Sequence, residues 1–145
     1  MTFFAKTFDE LSNTELYEIL KSRYEIFTSE QGITEQDLDD VDKVSLHCFF
    51  TQGERVVGYL RAFTGEGGEA HIGRVLTLRH RSGIGRMLMQ ESLPIIKEHL
   101  GTEAFVLSAQ THAIGFYEKF GFKVVSEEYL DAGIPHVKME MLFEK

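Results

Sequence analysis

The 145-residue sequence contains one cysteine, two prolines and no tryptophan. The lone cysteine, Cys48, can form no disulfide within the chain and cannot supply a pair of zinc ligands. It lies in the apolar run Leu46–Phe50, so we expect a buried, small hydrophobic residue rather than a nucleophile. With so few prolines and no segment rich in serine and glycine, nothing in the sequence is typical of a linker, and we expect one domain over residues 1–145.

Basic residues are also scarce. The chain has 15 lysines and arginines against 23 acidic residues, which gives a formal net charge of −8. An acidic chain repels nucleic acids and anionic membrane surfaces, so we expect neither as a partner. No run approaches the roughly 18 apolar residues of a membrane helix, and Met1–Lys6 lacks the basic and apolar regions of a secretory signal. These absences favour a cytoplasmic protein.

A capping motif near the N-terminus precedes a helical pattern. Ser12 and Glu15 form the Ser-x-x-Glu pattern of a capping box. The apolar residues that follow recur every three or four positions: Leu16, Ile19, Leu20, Tyr24 and Phe27. The sequence therefore predicts a helix that ends before Gly32. It is followed by an acidic loop, Thr34–Lys43, that holds Glu35, Asp37, Asp39, Asp40 and Asp42.

The middle of the chain has the pattern of an antiparallel meander. Ser45–Thr51, Arg55–Phe63 and Ala70–Thr77 are rich in β-branched and aromatic residues and are separated by turns that contain glycine. Gly73, inside the third segment, predicts a bulge or the close approach of another backbone.

The last part of the chain alternates between helix and strand. The sequence predicts a helix from Gly83 to about Leu100, kinked or split at Pro94, and a second helix that stops at Gly121. It predicts strands at Phe105–Ala109, Val124–Tyr129 and His136–Phe143. The fold class is therefore α/β (α+β): a mixed, mostly antiparallel sheet is flanked by helices.

The turn between the third strand and the following helix has the features of a pyrophosphate cradle. Gly83 and Gly85 let the backbone approach an anion closely, and the free N–H groups of the first helical turn favour negative charge. Three arginines in this segment can add charge-assisted contacts to the anion: Arg79, Arg81 and Arg86.

Two other phosphate-binding motifs are excluded at this turn. A P-loop needs Gly-Lys-Ser/Thr, which is absent, and a dinucleotide fingerprint needs a third glycine where Leu88 stands. An ordinary strand–helix turn with solvated arginines is the alternative that this segment alone leaves open.

Two segments in order resemble the signatures of the GNAT family of N-acetyltransferases. Arg74–Met89 resembles its acyl-CoA-binding motif, Arg/Gln-x-x-Gly-x-Gly/Ala. Ala113–Phe122 resembles its second signature, an aromatic-Tyr-Glu-Lys run followed by Gly-Phe. The first turn is shorter than is usual in the family. Counting back from Gly83 puts His80 at the first motif position, and a gap would put Arg81 there.

Short matches along the whole chain resemble the ElaA-type branch of this family in particular. They are Phe27–Gly32, Asp37–Asp39, His47, Ile72–Val75, Ala109–Gln110 and Tyr129–His136. The resemblance implies the GNAT acyl-CoA N-acyltransferase fold. It also implies acetyl-CoA as co-substrate, no metal, and transfer to a small-molecule or lysine-type amine by direct attack. The remaining histidines show no metal-ligand spacing, and the protein should be a monomer or a homodimer.

The resemblance also implies roles for individual residues. Tyr117 stands at the family's tyrosine position, where a phenol would donate a proton to the departing thiolate. Glu30 and His136 are the two candidates for the base that deprotonates the amine. The backbone near Leu76 and Thr77 would bind the thioester oxygen. The implied cofactor-binding residues are Val75, Leu76, Thr77, Arg81, Ser82, Gly83, Ile84, Gly85, Arg86, Met87, Gln110 and Phe116.

Arg61, Arg74 and Asp39 are candidates for binding the substrate. A buried network in which the two arginines pair with Glu30 or Asp39 is the alternative, and it is the one that we favour. The acidic loop suggests a cationic acceptor such as a polyamine, a free amino compound or a lysine side chain.

Two functions from other classes remain open. A GNAT fold that holds acyl-CoA but catalyses little would act as a sensor or a partner subunit. It predicts CoA binding without acetylation of any amine. A small interaction domain without a cofactor would use Gly83 and Gly85 for packing only, and it predicts no CoA binding.

Overall fold

The computed structural model describes residues 1–143, which form an eight-stranded sheet with helices on both faces. The strands are β1 Thr2–Thr7, β2 Leu46–Gln52, β3 Arg55–Thr64, β4 Ala70–Thr77, β5 Ala104–Gln110, β6 Lys123–Val124, β7 Tyr129–Asp131 and β8 Ile134–Leu142. The helices are α1 Asn13–Arg23, α2 Ile84–Leu100 and α3 Ile114–Glu118, with a π-helix at Tyr24–Glu30 and 3₁₀ turns at Phe8–Glu10, Asp40–Val44 and Thr111–Ala113.

The strand order is β1-β2-β3-β4-β5-β8-β6, and β7 pairs with β8. Only β4 and β5 run parallel; the other neighbouring strands within residues 1–143 pair antiparallel. The expected mixed, mostly antiparallel sheet is therefore present. No helix in this part of the chain is both long and apolar enough to cross a membrane.

The predicted N-terminal helix is confirmed, but its second half is wound more widely. Ser12 Oγ accepts a hydrogen bond from the Glu15 N–H at 3.0 Å, and Glu15 Oε1 accepts one from the Ser12 N–H at 2.8 Å. This is the predicted capping box. From Tyr24 to Glu30 the helix continues as a π-helix, and the chain then leaves it at Gly32, which has a φ of 70°.

The N-terminal segment forms a strand, β1, that was not predicted. β1 pairs antiparallel with β2 along its whole length and forms one edge of the sheet. The ring of Phe3 packs edge-on against the ring of Phe50, with centroids 5.2 Å apart.

The predicted bulge lies directly after Gly73, at Arg74 and Val75. Tyr59 pairs with Leu76 and Arg61 with Gly73, so two residues of β4 face one residue of β3. A Cβ atom on Gly73 would have nothing within 4 Å, so the alternative of a close backbone approach is wrong. The left-handed φ of 54° falls on Arg74, where it is uncommon for a residue with a side chain.

The bulge separates β4 from its parallel neighbour. The two strands pair only at Ala70–Phe105, His71–Val106 and Ile72–Leu107. Beyond Ile72, β4 continues to Thr77 and β5 continues to Gln110 without pairing with each other. A gap therefore opens in the sheet at the carboxyl ends of these strands.

The predicted strand Val124–Tyr129 is wrong. Two short strands, β6 and β7, replace it, and both pair with β8. Between them the backbone pairing with β8 is interrupted, because a side chain accepts one of the hydrogen bonds. Val125 N–H still donates to the Lys138 carbonyl at 2.9 Å, but Lys138 N–H donates to Ser126 Oγ at 2.8 Å. By contrast, α2 runs without a break through Pro94, and Gly121 has the expected positive φ of 102°.

Apolar side chains fill both faces of the sheet. One face packs against α1 through Ile19, Tyr59 and Leu76, and the other packs against α2 through Leu60, Leu88 and Ile96. Cys48 is fully buried on the α2 face, as expected, and burial raises the pKa of its thiol to about 12.

Candidate functional site

A cavity of about 760 Å³ occupies the gap between β4 and β5. This volume lies within the range of small-molecule and cofactor sites. Its walls come from the π-helix, the acidic loop, β4, the start of α2, β5, α3 and the turn between β7 and β8. Residues from widely separated parts of the chain therefore meet at one opening in the sheet.

The N-terminus of α2 forms one end of this cavity. Gly83 caps the helix with a left-handed φ of 82°. Ile84 N–H lies 3.4 Å from Ser82 Oγ, and Met87 N–H donates to the Gly83 carbonyl at 3.1 Å. The N–H groups of Gly85 and Arg86 fall in the first turn, where a helix offers them no carbonyl partner. This end of the cavity can therefore bind an anion.

The space in front of the helix is limited by Gly85. A Cβ atom at this position would lie 3.4 Å from the Phe116 ring and 3.6 Å from Thr77 Cγ2. A larger side chain would therefore project into a narrow space next to the free N–H groups. Arg79 and Arg81 precede the helix, Arg86 belongs to its first turn, and all three line the cavity, as does Lys119. A backbone cradle in a cavity with these cations suits a pyrophosphate group, so the site fits coenzyme A.

The unpaired edge of β4 offers backbone donors to the cavity. Leu78 N–H donates to the Val57 carbonyl on β3 at 2.9 Å. Successive N–H groups of a strand point to opposite sides, so the Leu76 N–H also faces β3, and those of Val75 and Thr77 face the gap. The sequence predicted the donor near Leu76 and Thr77. The register favours Val75 and Thr77 instead.

Tyr117 lies in the cavity wall with only 8% of its surface exposed. No group within residues 1–143 hydrogen-bonds to its hydroxyl, and burial raises its pKa to about 12. The phenol therefore stays protonated at neutral pH and has a hydrogen to donate.

His136 lies in the cavity wall and is also 8% exposed. Its Nδ1 is 2.6 Å from the Ile134 carbonyl, which requires the hydrogen to be on Nδ1. In the neutral ring, Nε2 then carries a lone pair. The ring stacks on Tyr129 at an interplanar angle of 21°. His136 can therefore accept a proton at Nε2.

Glu30, the other predicted base, is not part of the cavity wall. Its side chain is exposed, and its carboxylate is 2.5 Å from His80 Nε2 on the cradle turn. Glu30 is thus paired with the residue that stands at the first motif position when the sequence is counted back from Gly83. Arg81, which the alternative alignment puts there, lines the cavity and pairs with no carboxylate within residues 1–143.

Arg74 is held against the acidic loop by Asp37. Arg74 Nε donates to Asp37 Oδ1 at 2.8 Å, and its NH2 group donates to the Asp37 carbonyl at 2.9 Å. Arg23, at the end of α1, also binds Asp37. Its Nε donates to Asp37 Oδ2 at 2.9 Å, and its NH2 group donates to the Asp37 carbonyl at 3.0 Å. The bulge, the loop and α1 are therefore joined at one carboxylate.

Arg61 and Asp39 form the second half of this network and lie outside the cavity wall. Arg61 NH1 donates to Asp39 Oδ1 at 2.6 Å and to Asp42 Oδ1 at 2.9 Å, and Arg23 NH1 donates to the same Asp42 oxygen at 2.8 Å. The structure thus places Arg61 and Asp39 in a structural network and not at the cavity, where they were expected as substrate-binding residues. The sequence favoured a network in which Arg61 and Arg74 pair with Glu30 or Asp39. Asp39 is one of the partners, and Glu30 is not part of the network.

Most of the predicted cofactor-binding residues share the cavity wall. They are Val75, Leu76, Thr77, Arg81, Ser82, Gly83, Gly85, Arg86, Gln110 and Phe116. Ile84 and Met87 do not, because they lie on the side of α2 that packs into the core.

A chain of polar side chains across the gap was not predicted. His112 Nε2 lies 2.7 Å from Gln110 Oε1, and Gln110 Nε2 donates to Gln31 Oε1 at 3.0 Å. Glu35 and Asp131 also line the cavity. Gln31 and Asp131 stand within segments that resemble the ElaA-type branch, which is the signal that could have identified them.

Comparisons with known proteins bear on the family and the fold of the chain. Residues 11–143 match the family model described as the Acetyltransferase (GNAT) domain. The uncharacterized N-acetyltransferase YjcF of Bacillus subtilis is 39% identical over 121 residues, which are 81% of this chain and 85% of that protein.

Two crystal structures are similar over almost the whole chain. An acyl-CoA N-acyltransferase from Pseudomonas aeruginosa superposes with a TM-score of 0.90 at 32% identity, covering 97% of this chain and 99% of that one. ElaA of Escherichia coli superposes with a TM-score of 0.90 at 29% identity, covering 97% and 98%. In a sequence comparison ElaA is 33% identical over 136 residues, 90% of this chain and 89% of ElaA. The predicted fold class is thus confirmed.

Proposed function

Because the chain belongs to the ElaA-type branch of the GNAT acetyltransferase family, we propose that it transfers an acetyl group from acetyl-CoA to a primary amine. The observation that carries the proposal is the gap between β4 and β5, which ends at the free N–H groups of α2. A thioester and an amine can meet in this gap beside backbone donors and two buried proton-carrying side chains.

Acetyl-CoA, when bound, supplies the acetyl thioester. The N–H groups of Gly85 and Arg86 would hold its pyrophosphate, with Arg79 and Arg81 as charge-assisted partners. Because Gly85 has no side chain, the narrow space next to Phe116 stays open to the chain of the coenzyme. The N–H groups of Val75 and Thr77 would donate to the thioester oxygen as negative charge builds on it.

His136 and Tyr117 would handle the protons. His136 Nε2 takes a proton from the ammonium form of the acceptor, so that the amine can attack directly. Tyr117 Oη holds a proton throughout the neutral range and donates it toward the sulfur that leaves. We assign the base to His136 rather than to Glu30 because only His136 lies in the cavity wall.

Calorimetric titration with acetyl-CoA tests the cradle. We expect micromolar binding to the unaltered protein and none to Gly85→Glu, because the new carboxylate would repel the pyrophosphate. Gln90→Glu is the matched control. It adds the same charge at an exposed position of α2 that is not part of the cavity wall, so it should bind like the unaltered protein.

The release of free CoA in the presence of a panel of amines then tests catalysis. Release that depends on an amine would support the acetyltransferase. Tight binding of acetyl-CoA without release on any amine would favour the acyl-CoA-binding sensor. If the unaltered protein does not bind acetyl-CoA, the proposal is wrong.

A further inference from the structure

The acidic loop contributes less free negative charge to the cavity than its sequence suggests. Asp37 is shared by Arg23 and Arg74, and Asp42 is shared by Arg23 and Arg61. Asp39 pairs with Arg61 at 2.6 Å and also lies 3.6 Å from Arg74. Three carboxylates and three guanidinium groups therefore balance, and the cation of Arg74 is neutralised where it reaches the cavity.

Two carboxylates on the cavity wall remain outside this network. Glu35 belongs to the acidic loop, and Asp131 is the last residue of β7. Neither forms an ion pair or a side-chain hydrogen bond within residues 1–143. They come from different walls of the cavity, so a ligand in between would have a carboxylate on either side.

Two polar side chains of the same wall also lack a partner. His136 and Tyr117 are more than nine-tenths buried, yet His136 Nε2 and Tyr117 Oη form no hydrogen bond within residues 1–143. Neither atom is sealed in the core, so both are open to a polar ligand in the cavity. Gln110, the polar neighbour of His136 on β5, adds amide groups to the same region.

Opposite charges therefore come to the cavity from different elements. The turn before α2 and the first turn of α2 carry Arg79, Arg81 and Arg86 without a carboxylate partner in the described part of the chain, whereas the acidic loop and β7 carry Glu35 and Asp131 without a cationic partner there. An anionic coenzyme and a cationic acceptor would each be attracted to the side chains of opposite charge.

Resting on the proposed acetyltransferase function, we infer that the acceptor is an amine with a second positive charge, such as an alkane diamine. One nitrogen loses a proton to His136 and forms the new C–N bond as the thioester C–S bond breaks. The second nitrogen stays protonated between Glu35 and Asp131. Recognition of the second ammonium is thus assigned to Glu35 and Asp131 and not to the acidic loop as a whole.

Three amines of nearly equal length and different charge test the inference: 1,4-diaminobutane, n-butylamine and 4-aminobutanoate. Since each exposed ion pair contributes modestly, we expect kcat/KM for the diamine to exceed that for butylamine by about tenfold. The anionic compound should be the poorest substrate. Added salt should reduce the diamine-to-butylamine ratio, because it screens the exposed charges.

Charge-removing variants locate the residues that recognise the second ammonium. Glu35→Gln and Asp131→Asn should each lower the diamine-to-butylamine ratio about threefold, and the double variant should bring it close to one. Glu54→Gln, in the exposed turn between β2 and β3, removes a carboxylate outside the cavity and should leave the ratio unchanged. Affinity for acetyl-CoA shows that the gap is intact in each variant.

A preference for butylamine or 4-aminobutanoate would overturn the inference, and so would a diamine preference that survives in the double variant. If acetyl-CoA binds but none of the amines releases CoA, the acetyltransferase proposal fails separately. The inference is then tested by calorimetric titration of the acetyl-CoA complex with 1,4-diaminobutane. Binding that is lost in the double variant supports it, and absence of heat overturns it.

Discussion

Tyr117 is suited to its proposed role by its burial. Its pKa of about 12 keeps the hydroxyl protonated over the whole range in which an amine acetyltransferase would be assayed. We expect Tyr117→Phe to lower kcat by roughly 100-fold, the usual contribution of a general acid, and to leave acetyl-CoA affinity nearly unchanged. Steady-state release of CoA and calorimetry measure the two quantities.

Tyr24→Phe is the control for this substitution, because the Tyr24 side chain is exposed on the outer side of the π-helix and is not part of the cavity wall. It should have normal kinetics.

Raising the pH to about 10 should cause no loss of activity through Tyr117 in the unaltered enzyme. A Tyr117→Phe variant with full kcat would exclude the phenol as the acid.

Asp42 is the carboxylate whose loss should affect stability most. It is buried and accepts hydrogen bonds from both Arg23 and Arg61, so Asp42→Asn leaves two guanidinium groups without their shared anion. Breaking a buried ion pair costs about 3 kcal/mol or more, and we expect a decrease of this size in the free energy of unfolding in urea. Asp40→Asn should change it by less than about 0.5 kcal/mol, because Asp40 is 94% exposed. Equal effects of the two substitutions would show that the network contributes little.

Arg23 shows what the sequence could and could not predict about the site. It falls four residues after Ile19, on the apolar face of α1, where a charged residue is unusual unless it is paired. That position was a readable signal of a buried network, and it was missed. The partners on the loop and on β3 could not be read from spacing, because nothing local determines which of the loop's acids turns inward.

Pro94 is the residue of α2 that most disfavours a straight, fully bonded helix. It has no N–H to donate to the carbonyl of Gln90, although the helix continues past it to Leu100. Pro94→Ala should restore this hydrogen bond. We expect the free energy of unfolding to rise by about 1–2 kcal/mol. Removing proline from the helix interior stabilises the folded state, and part of this gain is offset because the unfolded chain becomes more flexible.

Glu98→Ala is the control for Pro94→Ala, since it places alanine at another exposed position of the same helix and should have an effect within about 0.5 kcal/mol. Denaturation with urea measures both variants. A less stable Pro94→Ala protein would mean that the packing of α2 on the sheet depends on a bend at the proline.

Elements with strong local signals were predicted well, and those that depend on distant partners were not. The capping box at Ser12 and the glycine at position 121 determine helix ends through their own backbone contacts. β1 exists because β2 offers it a pairing edge, which its own short sequence does not reveal. Likewise, the break between β6 and β7 depends on Ser126 accepting a hydrogen bond from Lys138, a contact across twelve residues of chain.

Across the domain, the dependence of stability on pH should have two steps on the acid side. His47 accepts a hydrogen bond from the Tyr59 hydroxyl at Nδ1 (2.7 Å) and donates from Nε2 to the Asp42 carbonyl (2.9 Å). Burial is the main reason that its pKa is lowered. The unfolded chain therefore binds a proton more readily, so stability is complete above about pH 6.5 and falls as the pH drops through the folded pKa.

The second step belongs to the carboxylates. The hydrogen bond from Arg61 is the main cause of the lowered pKa of Asp39. Burial acts to raise the pKa of Asp42, but bonds from Arg23 and Arg61 outweigh it and leave that pKa lowered too. Their contribution is present above about pH 4 and is lost below it. Urea unfolding between pH 8 and pH 3 measures both steps. His47→Gln should remove the slope of the first step alone, and a slope unchanged by this variant would assign that step to another group.

The separation of β4 from β5 also affects how the sheet opens. Within residues 1–143, only three backbone residue pairs join the meander β1–β4 to the strands β5–β8. The backbone ladder is therefore weakest in the middle of the sheet, where sheets are usually strongest. Local opening follows the weakest cooperative boundary. Amide hydrogens of the two parts should therefore exchange with solvent as two separate groups. A coenzyme bound across the gap would contact both parts and should make them exchange as one.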